Sequence, residues 1–315
     1  MESSIFFSII IPTFNRPNLI RRALNSIAKQ NFKLLEVVVI DDCSTKDYSD
    51  VFIEYSDLLI TYTRMPLSSG VSAARNTGMS KARGTWFLFL DDDDEFHDGF
   101  LCKMYEKITS LGNQPQYFFW ANVRKISYSA DGLLASQDTI DYSHPKKYGS
   151  DNYIKASTIG CSYGLTVNRS VLSKGIHFDT NMNQAEDTDF VLQLMSSQYK
   201  PECLADTGVI KHDHIEQRLS SSFDIYSHNK VYERIFEKHK NFLQKYKGIH
   251  SSLLHWTTLV HYEASDFESG NQNFKRYFLR DLKNLARLVK ASELICARAN
   301  CRKRIKSSQS RAYSF

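Results

Sequence analysis

Asp91, Asp92, Asp93 and Asp94 stand in an unbroken row behind Trp86-Phe87-Leu88-Phe89-Leu90, whose aromatic and apolar residues read as a buried strand. Adjacent like charges repel and raise one another's pKa unless a cation or a set of donors neutralises them. The end of this strand therefore reads as a metal or polyphosphate site. The alternative is an acidic turn in solvent, since turn chemistry favours Asp. Asp41-Asp42-Cys43-Ser44 closes another apolar run, with an N-cap or turn as its plain reading. Glu186, Asp187 and Asp189 open the run 190–195, where they either match a helix dipole or offer a carboxylate base. His212 and His214, beside Asp213 and followed by Arg218, have the residue types of a metal ligand and an anion clamp. Spacing does not choose between the histidines, because on a strand both share a face.

The elements that must hold these residues alternate over the first hundred positions. Residues 6–11 read as a strand, Pro12-Thr13-Phe14-Asn15-Arg16-Pro17 as a breaker-rich loop, and 18–30 as a helix with Leu19, Ala23, Leu24 and Ile27 on one face. Residues 34–40 form the next strand, 48–55 look helical, 58–63 extended, 70–82 helical, and 86–90 the fourth strand. This order predicts an α/β fold, a mostly parallel sheet covered by helices on both faces. Such sheets bind ligands beyond the carboxyl ends of their strands. Thr13, Asn15, Asp41, Asp42 and the Asp tetrad all fall there, and their joint placement carries more weight than any one loop.

Composition excludes several classes. With 42% hydrophobic and 24% charged residues and only 6 prolines in 315, the chain is neither disordered nor collagen-like. Its six cysteines, at 43, 102, 161, 203, 296 and 301, show no C-x-x-C spacing, so neither a zinc ribbon nor a disulfide scaffold is indicated and a reducing compartment is expected. The amino terminus lacks the basic region and cleavage site of a secretory signal, and no stretch approaches the ~18–20 apolar residues of a membrane span. A cytoplasmic location is the expectation.

The stretch Ser8-Ile9-Ile10-Ile11-Pro12-Thr13-Phe14-Asn15-Arg16, then Val37-Val38-Val39-Ile40-Asp41-Asp42-Cys43-Ser44, then Gly70-Val71-Ser72-Ala73-Ala74-Arg75-Asn76-Thr77-Gly78, then Phe89-Leu90-Asp91-Asp92-Asp93-Asp94 resembles a family-2 glycosyltransferase of the GT-A fold. The close likeness covers about the first hundred residues and a looser one runs to about residue 220. It implies a nucleotide-binding half over 1–100 and an acceptor half over 101–220, while 221–315 reads from its own residues as a separate helical, basic region. It also implies that Pro12, Thr13, Phe14, Asn15 and Asp42 hold the nucleotide. A carboxylate can accept the imide N–H of uracil and an aromatic ring can pack on the base, so a UDP-sugar donor is favoured. Arg75 and Asn76 would lie beside the nucleotide or diphosphate, where a guanidinium pairs with phosphate oxygens.

In the D-x-D element of such enzymes Asp91 and Asp93 face the donor, with Asp92 a partner to the ribose. The usual small polar residue is absent at Asp92, which leaves the assignment open by one position. Hard carboxylate oxygens suit Mn²⁺ or Mg²⁺, with His214 as a further ligand and Arg218 as a diphosphate clamp. The resemblance makes Asp187 the base that deprotonates the acceptor hydroxyl, and the helix dipole is expected to lower its pKa. One base opposite one leaving group implies inversion at the anomeric carbon. The expected activity is transfer of a hexose or N-acetylhexosamine to a glycan or glycolipid acceptor in lipopolysaccharide, O-antigen or capsule biosynthesis. The alternative is a nucleotide-sugar-binding subunit without turnover. A nucleotidyltransferase fits less well, because its glycine-rich basic first loop is not what Pro12-Thr13-Phe14-Asn15 offers.

The last hundred residues change character. Residues 232–246 and 253–263 read as helices, and 274–289 places Phe274, Phe278, Leu282, Leu285 and Leu288 at helical spacing opposite a basic face. From 275 to 315 there are twelve Lys or Arg against two acids, a net of +10 in a chain whose formal charge is +5, which leaves about −5 for the rest. Two readings stand: attachment to an anionic membrane surface at its inner face, or a helix packed on the domain with its basic side in water. Nucleic acid is not an expected partner, since no aromatic platform accompanies the charge.

Overall fold

The computed structural model describes residues 4–129, 131–142, 150–159, 162–213 and 225–263, with 270, 272 and 273. The chain divides into two compact units, Met1–Ser222 and Phe223–Phe315.

In the first unit, β1 (Phe7–Thr13) and β2 (Leu35–Asp41) are buried at every position, as expected of strands covered on both faces. They are followed by β3 (Ile60–Arg64), β4 (Trp86–Phe89), β5 (Glu95–Phe96), β6 (Tyr117–Tyr128), β7 (Leu134–Ile140), β8 (Thr166–Asn168) and β9 (Lys200–Asp213). Their order in the sheet is β3-β2-β1-β4-β8-β6-β9-β5, with β7 paired to β6. The first four strands are parallel, as the alternation of signals predicts. The remainder is mixed: β8 runs antiparallel to both β4 and β6, β9 parallel to β6, and β5 antiparallel to β9. The strand ends lie level where it matters, since Thr13 pairs with Asp41 and Asp41 with Arg64.

Helices α1 (Ile20–Ala28), α2 (Ser49–Glu54), α3 (Gly70–Lys81) and α4 (Phe100–Ser110) connect the parallel strands and begin the second half. After them come α5 (Asn152–Ala156), a 3-10 turn (Arg169–Lys174) and α6 (Glu186–Ser196). Ile9, Ile11, Val37, Val39, Leu88 and Leu90 face Ala23, Leu24 and Ile27 of α1 and Phe100, Leu101 and Met104 of α4 in one core. On the other face α3 lies close to β1: a Cβ at Gly78 would collide with the Ile10 side chain.

The strand β1 runs two residues further than the sequence suggests, through Pro12 and Thr13. Pairing with β4 stops at Ile10, so from there β1 is paired only with β2 and a proline is tolerated.

Buried polar groups also join the layers. Ser8 and Glu36 are cross-strand partners, and the Ser8 hydroxyl donates to Glu36 at 2.7 Å. Glu36 also accepts from the backbone and side chain of Arg83 at 2.6 and 2.8 Å, while the Gly84 N–H donates to Ser8 Oγ at 2.8 Å. These bonds hold the Glu36 carboxyl below its ordinary range against the opposing effect of burial. The turn leading into β4 is thereby tied to β1 and β2.

In the second unit, α7 (Ile225–Lys238), α8 (Lys240–Lys245) and α9 (Lys247–Glu263) replace the two expected helices. The break at His239 is a single residue, and α9 starts six residues before the expected 253. Gly248, Ser251 and Ser252 are weak helix formers, which hid its first turns, but Ile249, Leu253 and Leu254 are buried and hold them. The helical reading of 274–289 and the basic stretch beyond it lie outside the described residues. Among those described, no helix is long and apolar enough to cross a membrane.

At Gly84 an added Cβ would meet Ser8 Oγ at 2.6 Å and the Ser8 backbone nitrogen at 2.7 Å. Backbone cannot step aside cheaply, so Gly84→Ala is expected to cost about 1–3 kcal/mol, the usual range for overpacking. A urea titration reads this as a lowered midpoint at unchanged slope, and an unshifted midpoint would contradict it.

Candidate functional site

The four aspartates after β4 are sorted by the fold into two pairs. Asp91 and Asp93 keep 32% and 14% of their side-chain surface, whereas Asp92 and Asp94 are buried. Asp92 accepts from the Thr13 hydroxyl at 2.7 Å and from Arg16 Nη1 at 3.3 Å, yet burial pushes its carboxyl up to about 7. Asp94 accepts the His212 backbone N–H at 2.9 Å, and burial together with the charges of Asp91 and Asp93 raises it well above the ordinary range. Asp93 meets Arg16 at 3.4 Å, and its carbonyl accepts from Arg22 at 3.0 Å. Asp91 accepts from Arg75 at 3.0 Å.

The charge of the tetrad is met in part by donors of the chain itself. Arg16, Arg75, the Thr13 hydroxyl and a backbone N–H already counter it. Among the described residues no group of three or more His, Cys, Asp or Glu side chains is arranged to hold a metal ion.

The loops after β1 and β2 are stitched together. Asn15 takes a left-handed backbone, with φ 57, and its side-chain oxygen accepts from the Thr45 and Lys46 N–H groups at 2.8 and 3.3 Å. Its own N–H donates to Ser44 Oγ at 2.7 Å. Asp41 is fully buried and accepts from the Ser44 N–H at 2.9 Å and the Tyr62 hydroxyl at 2.7 Å, and burial with this carboxylate contact raises the Tyr62 phenol. Asp42 accepts three donors, Ser68 Oγ at 2.8 Å, the Ser69 N–H at 2.7 Å and the Gly70 N–H at 3.0 Å, and so holds the start of α3 from across the rim. Its own N–H donates to the Thr13 carbonyl at 2.9 Å. Beside it the Phe14 ring is 47% exposed, a large apolar surface left at a polar rim.

Arg75 and Asn76, expected beside a diphosphate, are both bonded within the protein. The buried Arg75 guanidinium spans two carboxylates, Asp91 and, at 2.9 Å, Glu186 Oε1, and lies over the Phe178 ring at 5.4 Å from its centroid. Its Nε has no hydrogen-bond partner among the described residues. The Asn76 side chain gives both its groups to one residue: Nδ2 donates to the Phe178 carbonyl at 2.8 Å and Oδ1 accepts the Phe178 N–H at 2.9 Å.

Asp187 stands in the first turn of α6, after Ala185 in a left-handed conformation. It accepts the Thr188 N–H at 2.6 Å. The lowering expected from the helix end is outweighed, since burial and the neighbouring Glu186 carboxylate push Asp187 up to about 7. A carboxylate of that basicity is suited to take a proton near neutral pH.

Pro12, Thr13, Phe14, Asn15, Asp42, Asp91, Asp92 and Asp93 thus share one rim, and Arg75 links that rim to Asp187 through Glu186. His214 and Arg218 lie outside the described residues. Sequence reasoning missed Arg16 as part of the site and, of the two histidines that spacing left open, carried His214 forward rather than His212. Arg16 carries a signal, a lone cation in a loop facing four acids. His212, whose Nε2 meets Glu95 at 2.6 Å and whose Nδ1 meets the Tyr128 hydroxyl at 2.7 Å, depends on the pairing of β5, β6 and β9, which spacing does not reveal.

The family described as Glycosyl transferase family 2 matches residues 8–174. WcaA of Escherichia coli K12, named for a provisional role as a glycosyl transferase of colanic acid biosynthesis, is 28% identical over 249 residues, covering 76% of this chain and 84% of that one. The amylovoran biosynthesis glycosyltransferase AmsB of Erwinia amylovora is 27% identical over 198 residues, 60% of this chain and 64% of that one. A shorter stretch of 103 residues, 32% of this chain and 33% of the other, is 39% identical to a Campylobacter jejuni GalNAc(5)-diNAcBac-PP-undecaprenol beta-1,3-glucosyltransferase. The likeness therefore spans most of WcaA and less than two thirds of the other two. Among solved structures, residues 1–349 of Staphylococcus aureus TarS in complex with UDP-GlcNAc superpose with a TM-score of 0.56 at 22% identity, covering 70% of this chain and 62% of that one. At that identity the likeness is one of fold, and the fold is GT-A.

Carbon-13 NMR of the carboxyl groups tests the electrostatics. The Asp187 resonance, assigned by its loss in Asp187→Asn, should titrate with a midpoint near 7. Glu186→Gln should move it down, because a like charge is removed and Arg75 is left nearer to Asp187 alone. A midpoint in the ordinary carboxylate range in the unaltered chain would refute this account.

Proposed function

Because the chain belongs to glycosyl transferase family 2, we propose that it transfers a hexose or N-acetylhexosamine from a UDP-sugar, with inversion, to a glycan or glycolipid acceptor during cell-surface polysaccharide biosynthesis. The observation that carries the reading is geometric: Asp187 stands next to Glu186, which one buried arginine joins to Asp91 of the acidic rim where Phe14 and Asp42 stand. WcaA and AmsB, by their names, belong to the biosynthesis of such polymers.

Each group has a role that its chemistry allows. The exposed Phe14 ring offers uracil a face to stack on. A carboxylate has about four lone-pair directions, and Asp42 uses three, leaving one for an imide N–H. Asp187 takes the proton of the acceptor hydroxyl as that oxygen attacks the anomeric carbon and the bond from sugar to diphosphate breaks. Asp91 and Asp93, the two acids with exposed surface, have the hard oxygens that suit Mn²⁺ or Mg²⁺, with His214 as a further candidate ligand and Arg218 as a clamp on the diphosphate. When bound, such an ion supplies charge neutralisation for the leaving UDP. The net of +10 over residues 275–315 would draw the enzyme to anionic lipid at the inner membrane face.

Hydrolysis and transfer measured across a panel of nucleotide sugars, with and without Mn²⁺, test the donor and metal assignments. Asp187→Asn should lower kcat by about 10²–10⁴-fold, the usual share of a general base. Since protonated Asp187 cannot accept a proton, kcat of the unaltered enzyme should fall as pH drops below about 7 and level off above it. Full activity in Asp187→Asn, or no binding of any uridine nucleotide by calorimetry, would overturn the proposal.

A further inference from the structure

Two side-chain groups of one asparagine meeting the N–H and the carbonyl of one residue, 102 positions away, make a two-point clamp of the kind that pairs neighbouring strands. A single hydrogen bond would let the segment pivot, whereas two fix its direction. The residue held, Phe178, is fully buried between the parts that carry the chemistry. Its ring lies parallel to Phe190 at 4.1 Å with an interplanar angle of 4°, and edge-on to Phe89 at 5.3 Å and 86°. Phe89 and Phe190 also meet each other edge-on at 6.1 Å. Phe89 is the last residue of β4, two before Asp91, and Phe190 is one turn beyond Asp187 on α6. The aromatic cluster therefore spans from the donor-side turn to the base-bearing helix, and Asn76, adjacent to Arg75 on α3, fixes its middle member.

We infer that Asn76 is a positioning residue: through Phe178 and the ring stack on Phe190 it sets where Asp187 stands relative to the acidic rim, and it does not bind the donor. This inference rests on the reading of Asp187 as the base. Phe178 takes one N–H and one lone pair of the Asn76 amide, which fixes the plane of the side chain and turns it toward Phe178. The Arg75 bridge between Asp91 and Glu186 runs alongside and sets the charge of the same junction. A base displaced by about 1 Å loses on the order of 10²-fold in rate while substrate binding is spared.

The test uses the full chain and two variants on opposite sides of Phe178, Asn76→Ala and Phe190→Leu, with kcat and donor KM from transfer assays and UDP affinity from calorimetry. In both, kcat should fall by about 10–100-fold, with donor KM and the Kd for UDP within about twofold of the unaltered chain. A donor contact would behave otherwise: Asn76→Ala would raise KM and Kd about tenfold or more with kcat retained at saturation. Either that result or unchanged kcat in both variants overturns the inference. Should thermal melting show that Asn76→Ala does not fold, Asn76→Asp decides. It keeps the acceptor for the Phe178 N–H but, when ionised, adds a charge and sets an acceptor against the Phe178 carbonyl, and a lowered kcat at unchanged UDP affinity supports the inference while an unchanged kcat ends it. An unaltered chain that binds no UDP would remove the functional reading and this inference with it, whereas normal UDP binding with full kcat in the variants removes this inference alone.

Discussion

A guanidinium taken out of water is stable only beside carboxylates, and carboxylates taken out of water are stable only beside donors. The Arg75 side chain meets both conditions at once, between Asp91 and Glu186. Much of the site follows from this arrangement. The turn after β4 gathers four acids because Arg16, Thr13 and the His212 backbone counter the rest of their charge. The helix that presents Asp187 can begin with acids because one of them, Glu186, is satisfied by Arg75 of α3. Removing one partner of such a network leaves the others buried and unpaired, which costs more than the pair itself contributes.

The parallel half of the sheet sets the level of the rim and the mixed half brings Asp187 to it. β1 to β4 alone would present Thr13, Asp42 and the aspartates to solvent in one row. The antiparallel β8 and the long β6 and β9 carry the chain back so that Phe178 and α6 can close on α3. The two halves meet through polar side chains of α3 on one side and a cluster of three aromatic rings on the other.

The parallel half was legible in the sequence because its strands are short, uniformly apolar and bounded by Gly, Pro and Asp. The extra reach of β1 through Pro12 was not, since whether a proline breaks a strand depends on which neighbour is still paired there. The residues of the rim were found by type and order, but their partners were not. Nothing in the spacing of Arg75 and Asn76 shows that one would be spent on Glu186, 111 positions away, and the other on Phe178. The Asp187 pKa was misjudged for a related reason. A helix end was visible in sequence, whereas burial beside a second carboxylate is a property of the fold, and it was the larger effect. In the second unit the start of α9 was hidden by weak local propensity and is recovered by the burial of Ile249 and Leu253.

The threefold engagement of Asp42 has a consequence for how such a rim can diversify. A side chain that anchors the first turn of α3 is not free to be exchanged when a different base or sugar is to be selected, because the helix start would be released with it. The exposed Phe14 ring anchors no helix start. If the rim holds a nucleotide as proposed, new ligand preferences can accumulate at Phe14 at small cost to folding, while Asp42 acts as a brake on that drift.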